Sequence, residues 1–230
     1  MTSLVLACAY FLGIHVVVSG SPLRQPIVDR VGERRYLGLF SLLSLAGMVW
    51  MVRAYRQASI VSLWGPIPGL RWLALVATLI AFILVVLGLT TPSPTAAGGE
   101  SQLEAVEPAQ GILRVTRHPF LWGVALWAVM HVVLNGDAAS LLLFGTVLLL
   151  ALIGPLLIDN KRRRRFGPSW ERFAAATSNL PFAAIAAGRN QFRPAEIGSW
   201  RIVLAVAVYA VALAGHRWMF GVSPVPDWPP

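Results

Sequence analysis

Four histidines carry most of the chemistry this sequence could perform: His15, His118, His131 and His216. All four lie in, or at the mouths of, apolar segments, and none lies in a long connection. An ionisable side chain in hydrocarbon is costly and marks a functional position by default. Imidazole is also the common axial ligand of haem iron and a ligand of several other metals. The stretch RVTRHPFLWGVALWAVMHVVLNGD, residues 114–137, holds two of the four. Pro119 suits the first turn of a helix, where its missing N–H is not needed, so Arg117 and His118 stand at the mouth of the segment. His131 follows roughly 20 Å along the axis and about 220° around it, so these two histidines cannot serve one compact site. Depth instead pairs His15 with His118 at one end of the spans, and His131 with His216 at the other. Trp127 and Ala128 give the His131 face an aromatic wall beside a small residue. That face suits a flat macrocycle and equally suits ordinary helix packing. No span places Glu or Asp beside a histidine, which argues against a di-metal centre.

The elements that must position these rings are apolar helices. The chain is 57% hydrophobic and 13% charged, against roughly a quarter charged in soluble domains. The expected fold is an all-α membrane protein, a single domain over 1–230 with about six transmembrane helices. The segments are about 2–19, 36–52, 70–90, 119–134, 138–158 and 199–220, each near the ~17–25 residues that cross a bilayer. Residues 2–19 lack a basic leading region and read as a retained first span. Asn135-Gly136-Asp137 is the whole connection between the fourth and fifth segments, so these two form an antiparallel hairpin. The segment TTPSPTAAGGESQLEAVEPAQG reads as a flexible loop.

Placing the N-terminus outside puts 15 of the 19 basic residues in cytosolic connections. The expected topology is therefore N-out and C-out, in an inner (cytoplasmic) membrane. The net charge of +9 is an orientation signal rather than a mark of nucleic-acid binding, since no nucleic-acid module accompanies it. The run Lys161–Arg165 reads as a headgroup anchor, with a specific anionic-lipid site as the sharper alternative. Residues 166–176 space Phe166, Trp170, Phe173 and Ala174 as one helical face, predicting an interfacial cytosolic helix. Arg24, Glu33 and Arg34 form either a charged connector or a polar lid over a cytosolic pocket. Cys8 is the single cysteine and reads as a packing residue.

Three stretches together resemble the NnrU family of bacterial membrane proteins. They are GIHVVVSGSPLRQPIVDRVGERRYLGLFSLLSL at 13–45, the 114–145 segment beginning RVTRHPFLWG, and DNKRRRRFGPSWERFAAATSNLPFAAIAAGR at 159–189. That resemblance implies a context in nitrite and nitric oxide metabolism, with denitrification proteins as partners. The motifs TRHPFLWG…W…H and GERRY are also similar to the 15-cis-zeta-carotene isomerases. This similarity implies haem b, a haem-dependent cis–trans isomerisation and an apolar polyene substrate reached from the lipid bilayer. By position it implies His131 as a haem ligand and His15 as the second, whereas depth favours His216. Ala128 stands where the isomerases carry a cysteine near the ligand. A more distant similarity, over RHPFLWG and RRFGPSWERF…LP, is to the isoprenylcysteine carboxyl methyltransferase group. It implies S-adenosylmethionine held by Arg117 and His118, although Asp159-Asn160 replaces the usual paired glutamates. A non-enzymatic assembly partner is the third reading.

Overall fold

The computed structural model describes residues 1–67 and 69–225. Its secondary structure is helical, with no sheet among the described residues beyond an isolated bridge between Ser62 and Asp137. Helix α1 (Thr2–Gly13) runs directly into a π-helical stretch (Ile14–Ser19). A short α2 (Arg24–Val31) leads through Gly32 into α3 (Glu33–Arg56). Then follow α4 (Leu70–Thr90), α5 (Pro119–Asn135) and a long α6 (Ala138–Ala176). The single-turn α7 (Ala183–Ala186) precedes the last long helix, α8 (Ser199–Phe220).

Five helices are long and apolar enough to cross a membrane: α1 with its π-helical extension, α3, α4, α6 and α8. The fourth expected span is helical too, but α5 has 17 residues and is the shortest of the apolar set. Large apolar side chains such as Leu42, Trp72, Val76, Val203 and Val211 point outward along these helices. In water that surface would drive aggregation; against lipid tails it needs no cover. The chain is thus a helical membrane protein. Small residues line its tightest helix contact, as expected where helices gain little from hiding apolar surface and must gain from close packing.

The most extensive helix contact is between α4 and α5. Ala74, Ala77, Ala81, Ala125 and Ala128 are buried in the two helices. Gly123 brings the backbones together: a Cβ there would lie 2.6 Å from the Ala81 carbonyl oxygen and 2.9 Å from the Val85 nitrogen. Helix α8 packs on the same α4, where the Tyr209 hydroxyl donates to the Leu75 carbonyl and the Phe82 ring meets Tyr209 edge-on. Helices α1, α3 and α6 share a second core built from Leu4, Cys8, Phe11, Met51, Leu143 and Phe144. Cys8 is buried there, consistent with a packing role.

The expected hairpin is present. Gly136 closes α5 with φ 64°, and Asp137 caps α6 by accepting from the Ser140 N–H at 2.9 Å. The positive φ suits glycine, and a Cβ would in any case lie 2.5 Å from the Trp64 carbonyl oxygen. The connection 61–64 lies over this turn, with the Leu63 and Trp64 N–H groups both donating to the Gly136 carbonyl.

Two expectations are corrected at the opposite, arginine-rich end. The 91–112 segment is not a free loop. Leu103 and Ala109 are buried, Arg162 donates to Glu100 and to the Ala96 carbonyl, and Arg172 donates to the Leu103 carbonyl. Residues 168–176 are helical and form the last part of α6 beyond a break at Gly167, and their apolar face is covered by protein rather than left open. Trp170 and Phe173 are fully buried against Leu103, Ala109 and Leu113. The helical spacing was legible; what covers the apolar face depended on a distant loop whose composition looked unstructured.

The same cap carries a buried cation. Arg114 has its side chain 4% exposed and is held by Glu196, Glu107 and Asn190, with the Gly111 N–H also on Glu196. The Arg114 guanidinium, reinforced by Gly111 and opposed by desolvation, holds the Glu196 carboxyl down to about 2. A depressed carboxyl stabilises the fold fully above its unfolded value and loses that contribution as pH falls through the folded one.

Two outcomes follow. Gly123→Val should force α4 and α5 apart and lower stability by about 1–3 kcal/mol, read as the unfolding midpoint of detergent-solubilised protein. Glu196→Gln should melt below wild type at neutral pH, and the gap should narrow as pH falls from about 4.5 towards 2.

Candidate functional site

At the basic end, the Arg-His-Pro entrance is a latch. Pro119 takes the first position of α5 and His118 is its cap residue. His118 Nε2 meets Asp159 Oδ1 at 2.7 Å, and Arg117 donates from Nε and Nη2 to Asp159 Oδ2 at 2.9 and 2.6 Å. His118 is buried, and the Asp159 side chain is 9% exposed. A carboxylate this buried is tolerable only with such partners. Burial lowers the His118 pKa, against the opposing pull of Asp159. The 177–182 segment locks onto the same entrance. Thr116 Oγ1 and Trp122 Nε1 donate to the Asn179 carbonyl, and the Arg117 N–H donates to the Ser178 carbonyl. His118 and two nitrogens of Arg117 therefore hold Asp159, and Arg117 Nη1 makes no hydrogen bond among the described residues.

The other three histidines share a different arrangement. His15 Nδ1 donates to the Phe11 carbonyl at 2.7 Å, and His131 Nδ1 donates to the Trp127 carbonyl at 2.8 Å. In both cases the acceptor is four residues back on the same helix. His216 Nδ1 donates to the Val222 carbonyl at 2.9 Å, just past the end of α8. Each bond places a proton on Nδ1, so that in the neutral ring Nε2 is the nitrogen able to accept or coordinate. A metal-bound imidazole typically has this second-shell arrangement, its other nitrogen donating to a carbonyl.

The surroundings distinguish them. His131 packs against two aromatic rings, Trp127 at 4.5 Å and Phe144 at 4.7 Å. Trp127 and Phe144 themselves meet edge-on at 5.2 Å. His15 packs on Phe11 at 4.4 Å and on Phe40 at 5.1 Å, and it lies within the π-helical stretch. Short π-helical segments concentrate at functional sites. Phe11 belongs to the same buried cluster as Phe144, with Trp127 packed against it, so one aromatic core backs both rings. His216 stacks on Phe220 at 4.8 Å and lies within electrostatic reach of His131.

An electrostatic interaction links His131 with His216, while His15 and His118 each have hydrogen-bond partners of their own. No cluster of three or more His, Cys, Asp or Glu suited to a metal occurs among the described residues. An iron held in a macrocycle needs at most two protein ligands, and the histidines fit that demand. Arg24 pairs with Glu33, as the connector reading allowed. Phe144 escaped the sequence reading, although a signal was available. The tight turn at Gly136 brings the end of α5 beside the start of α6, where Phe144 is an aromatic residue on the facing helix, eight positions past the turn against five before it for His131. The π-helical stretch had no sequence signal.

A family model described as NnrU protein matches residues 3–224, and the chain belongs to the NnrU family. It is 27% identical over 181 residues to the chloroplastic 15-cis-zeta-carotene isomerase of Arabidopsis thaliana, covering 76% of this chain and 48% of that protein. It is 29% identical over 182 residues to the enzyme of the same name from Zea mays, covering 76% and 49%. The chain thus spans about half the length of these curated relatives. No solved structure matches it.

Replacing the central carboxylate tests the latch. Asp159→Ala should leave Arg117 buried without its partner and cost about 3–5 kcal/mol. The check is a denaturation series in detergent, in which Arg163→Gln, on an exposed pair, should change little.

Proposed function

We propose that this NnrU-family protein binds haem b in the membrane and acts as a cis–trans isomerase on a long apolar polyene, with His131 as an iron ligand. One observation carries the reading. His131 lies inside an apolar helix bundle, fixed through Nδ1 and packed against two aromatic rings, with no hydrogen bond to Nε2 among the described residues. That bond satisfies one buried ring nitrogen and leaves the other without a hydrogen bond among the described residues, and burying an imidazole is costly. The relatives named as zeta-carotene isomerases supply the substrate class, a conjugated hydrocarbon that partitions into lipid and can enter between helices.

The second ligand comes from His216 or His15. Nearness to His131 supports His216; the shared aromatic core and the π-helical stretch support His15. The haem, when bound, supplies a redox-active iron. The chain's own residues supply the rest: carbonyl oxygens orient the imidazoles, Trp127 and Phe144 hold the His131 ring, and the apolar bundle excludes water. The methyl-donor reading finds less support, because the two residues it needs, Arg117 and His118, already hold Asp159.

The test is an absorption spectrum of protein purified after expression with adequate haem supply. Wild type should show a Soret band, His131→Ala should lose it, and His118→Ala should keep it. Of His15→Ala and His216→Ala, the one that changes the band to a five-coordinate form identifies the second ligand. A colourless wild type overturns the proposal.

A further inference from the structure

The arginine-rich end holds a second site, unrelated to the histidine cluster. An open cleft of about 390 Å³ lies between the start of α5, the end of α6 and the 177–189 segment, and Arg117, Arg163 and Arg189 all line it. Each guanidinium is already anchored. Arg117 is held by Asp159, Arg163 by Glu171 at 2.7 Å, and Arg189 by the Ala175 and Thr177 carbonyls. Each also keeps unused donors: Nη1 of Arg117, both terminal nitrogens of Arg163, and Nη2 of Arg189 make no hydrogen bond among the described residues. Glu171 is the only acidic residue in the lining, so the cleft retains positive charge.

Anchored guanidiniums with spare N–H groups, lining one cleft, are suited to an oxyanion. The planar fork of arginine matches phosphate oxygens, and little side-chain entropy remains to be lost on binding. We infer that this cleft binds a phosphate group. Two sources could present one, a phospholipid headgroup or a soluble phosphate ester. The rim favours the lipid. Leu180 and Phe182 follow Ser178 and Asn179 of the cleft wall and are 60% and 56% exposed. Phe182 holds a left-handed backbone, φ 65°, while donating its N–H to the Val115 carbonyl. A residue with a side chain adopts that backbone only under strain. Strain that presents an aromatic ring to the outside rather than to the core suits contact with acyl chains beside a bound headgroup.

The test uses the full chain in phospholipid-free detergent, titrated with dioleoyl phosphatidylglycerol, with dioleoylglycerol as the phosphate-free control and with inorganic phosphate. Binding is followed by tryptophan fluorescence and by retained lipid in native mass spectra. Phosphatidylglycerol should bind and dioleoylglycerol should not. Arg163→Gln should weaken that binding about tenfold, the loss expected for a charge-assisted contact. Arg164→Gln removes an equal charge just outside the lining and should leave binding within twofold of wild type (about 0.4 kcal/mol). Competition by inorganic phosphate would assign the site to a soluble ester, and its absence to lipid. The site is refuted if Arg163→Gln binds like wild type, or if Arg164→Gln loses as much. Haem content plays no part in this measurement, so its result is independent of the His131 reading.

Discussion

The bundle depends on one buried carboxylate. Asp159 lies near the basic end of α6 and receives both Arg117 and His118 from the start of α5. At the other end the same two helices are joined by Asn135-Gly136-Asp137, and the connection 61–64 covers the turn. The α5–α6 pair is therefore closed at both ends, by covalent chain and by charge. Helices in lipid gain little from apolar contact and can slide or rotate with small penalty. Closure at two points removes that freedom and sets His131 against Phe144. From α5 the order spreads to α4 through Gly123 and then to α8 through Tyr209.

Charge and imidazole are separated along this frame. The basic end gathers arginine with its carboxylate partners, and its cap of 91–117 and 177–197 is tied by Arg114, Arg162, Arg172 and Arg189. Away from that end, His15 and His131 are braced by main-chain oxygens and aromatic faces. A carboxylate beside these rings would favour their protonation and remove the free lone pair. An apolar, aromatic lining keeps imidazole neutral, the form in which it binds a metal.

The helices were legible because hydrocarbon demands a long apolar run, and the sequence displays such runs from 2–19 to 199–220. The hairpin was legible from a three-residue link containing Gly136, and the α5 start from Pro119. Asp159 stood out in sequence only as a departure from paired glutamates. Its role needed the helix ends brought together, because Arg117 and Asp159 are 42 positions apart. The 91–112 segment misled through composition: its prolines, glycines and glutamates read as solvated. The burial of Leu103, Ala109 and Leu113 against Trp170 and Phe173 shows how few apolar residues can fix such a connection when a large aromatic pair awaits them. Tertiary partners of that kind leave no periodic trace.

The brevity of α5 has a consequence for the surrounding bilayer. Its 17 residues reach about 26 Å at 1.5 Å per residue, a few Å short of a ~30 Å hydrocarbon layer. The latch at one end and the tight turn at the other prevent it from sliding to choose its depth. The lipid must adjust, thinning beside α5 or letting headgroups dip towards Arg117. Hydrophobic mismatch of this kind favours short-chain, thin membranes, so membrane thickness itself becomes a condition on how well the Asp159 end stays closed.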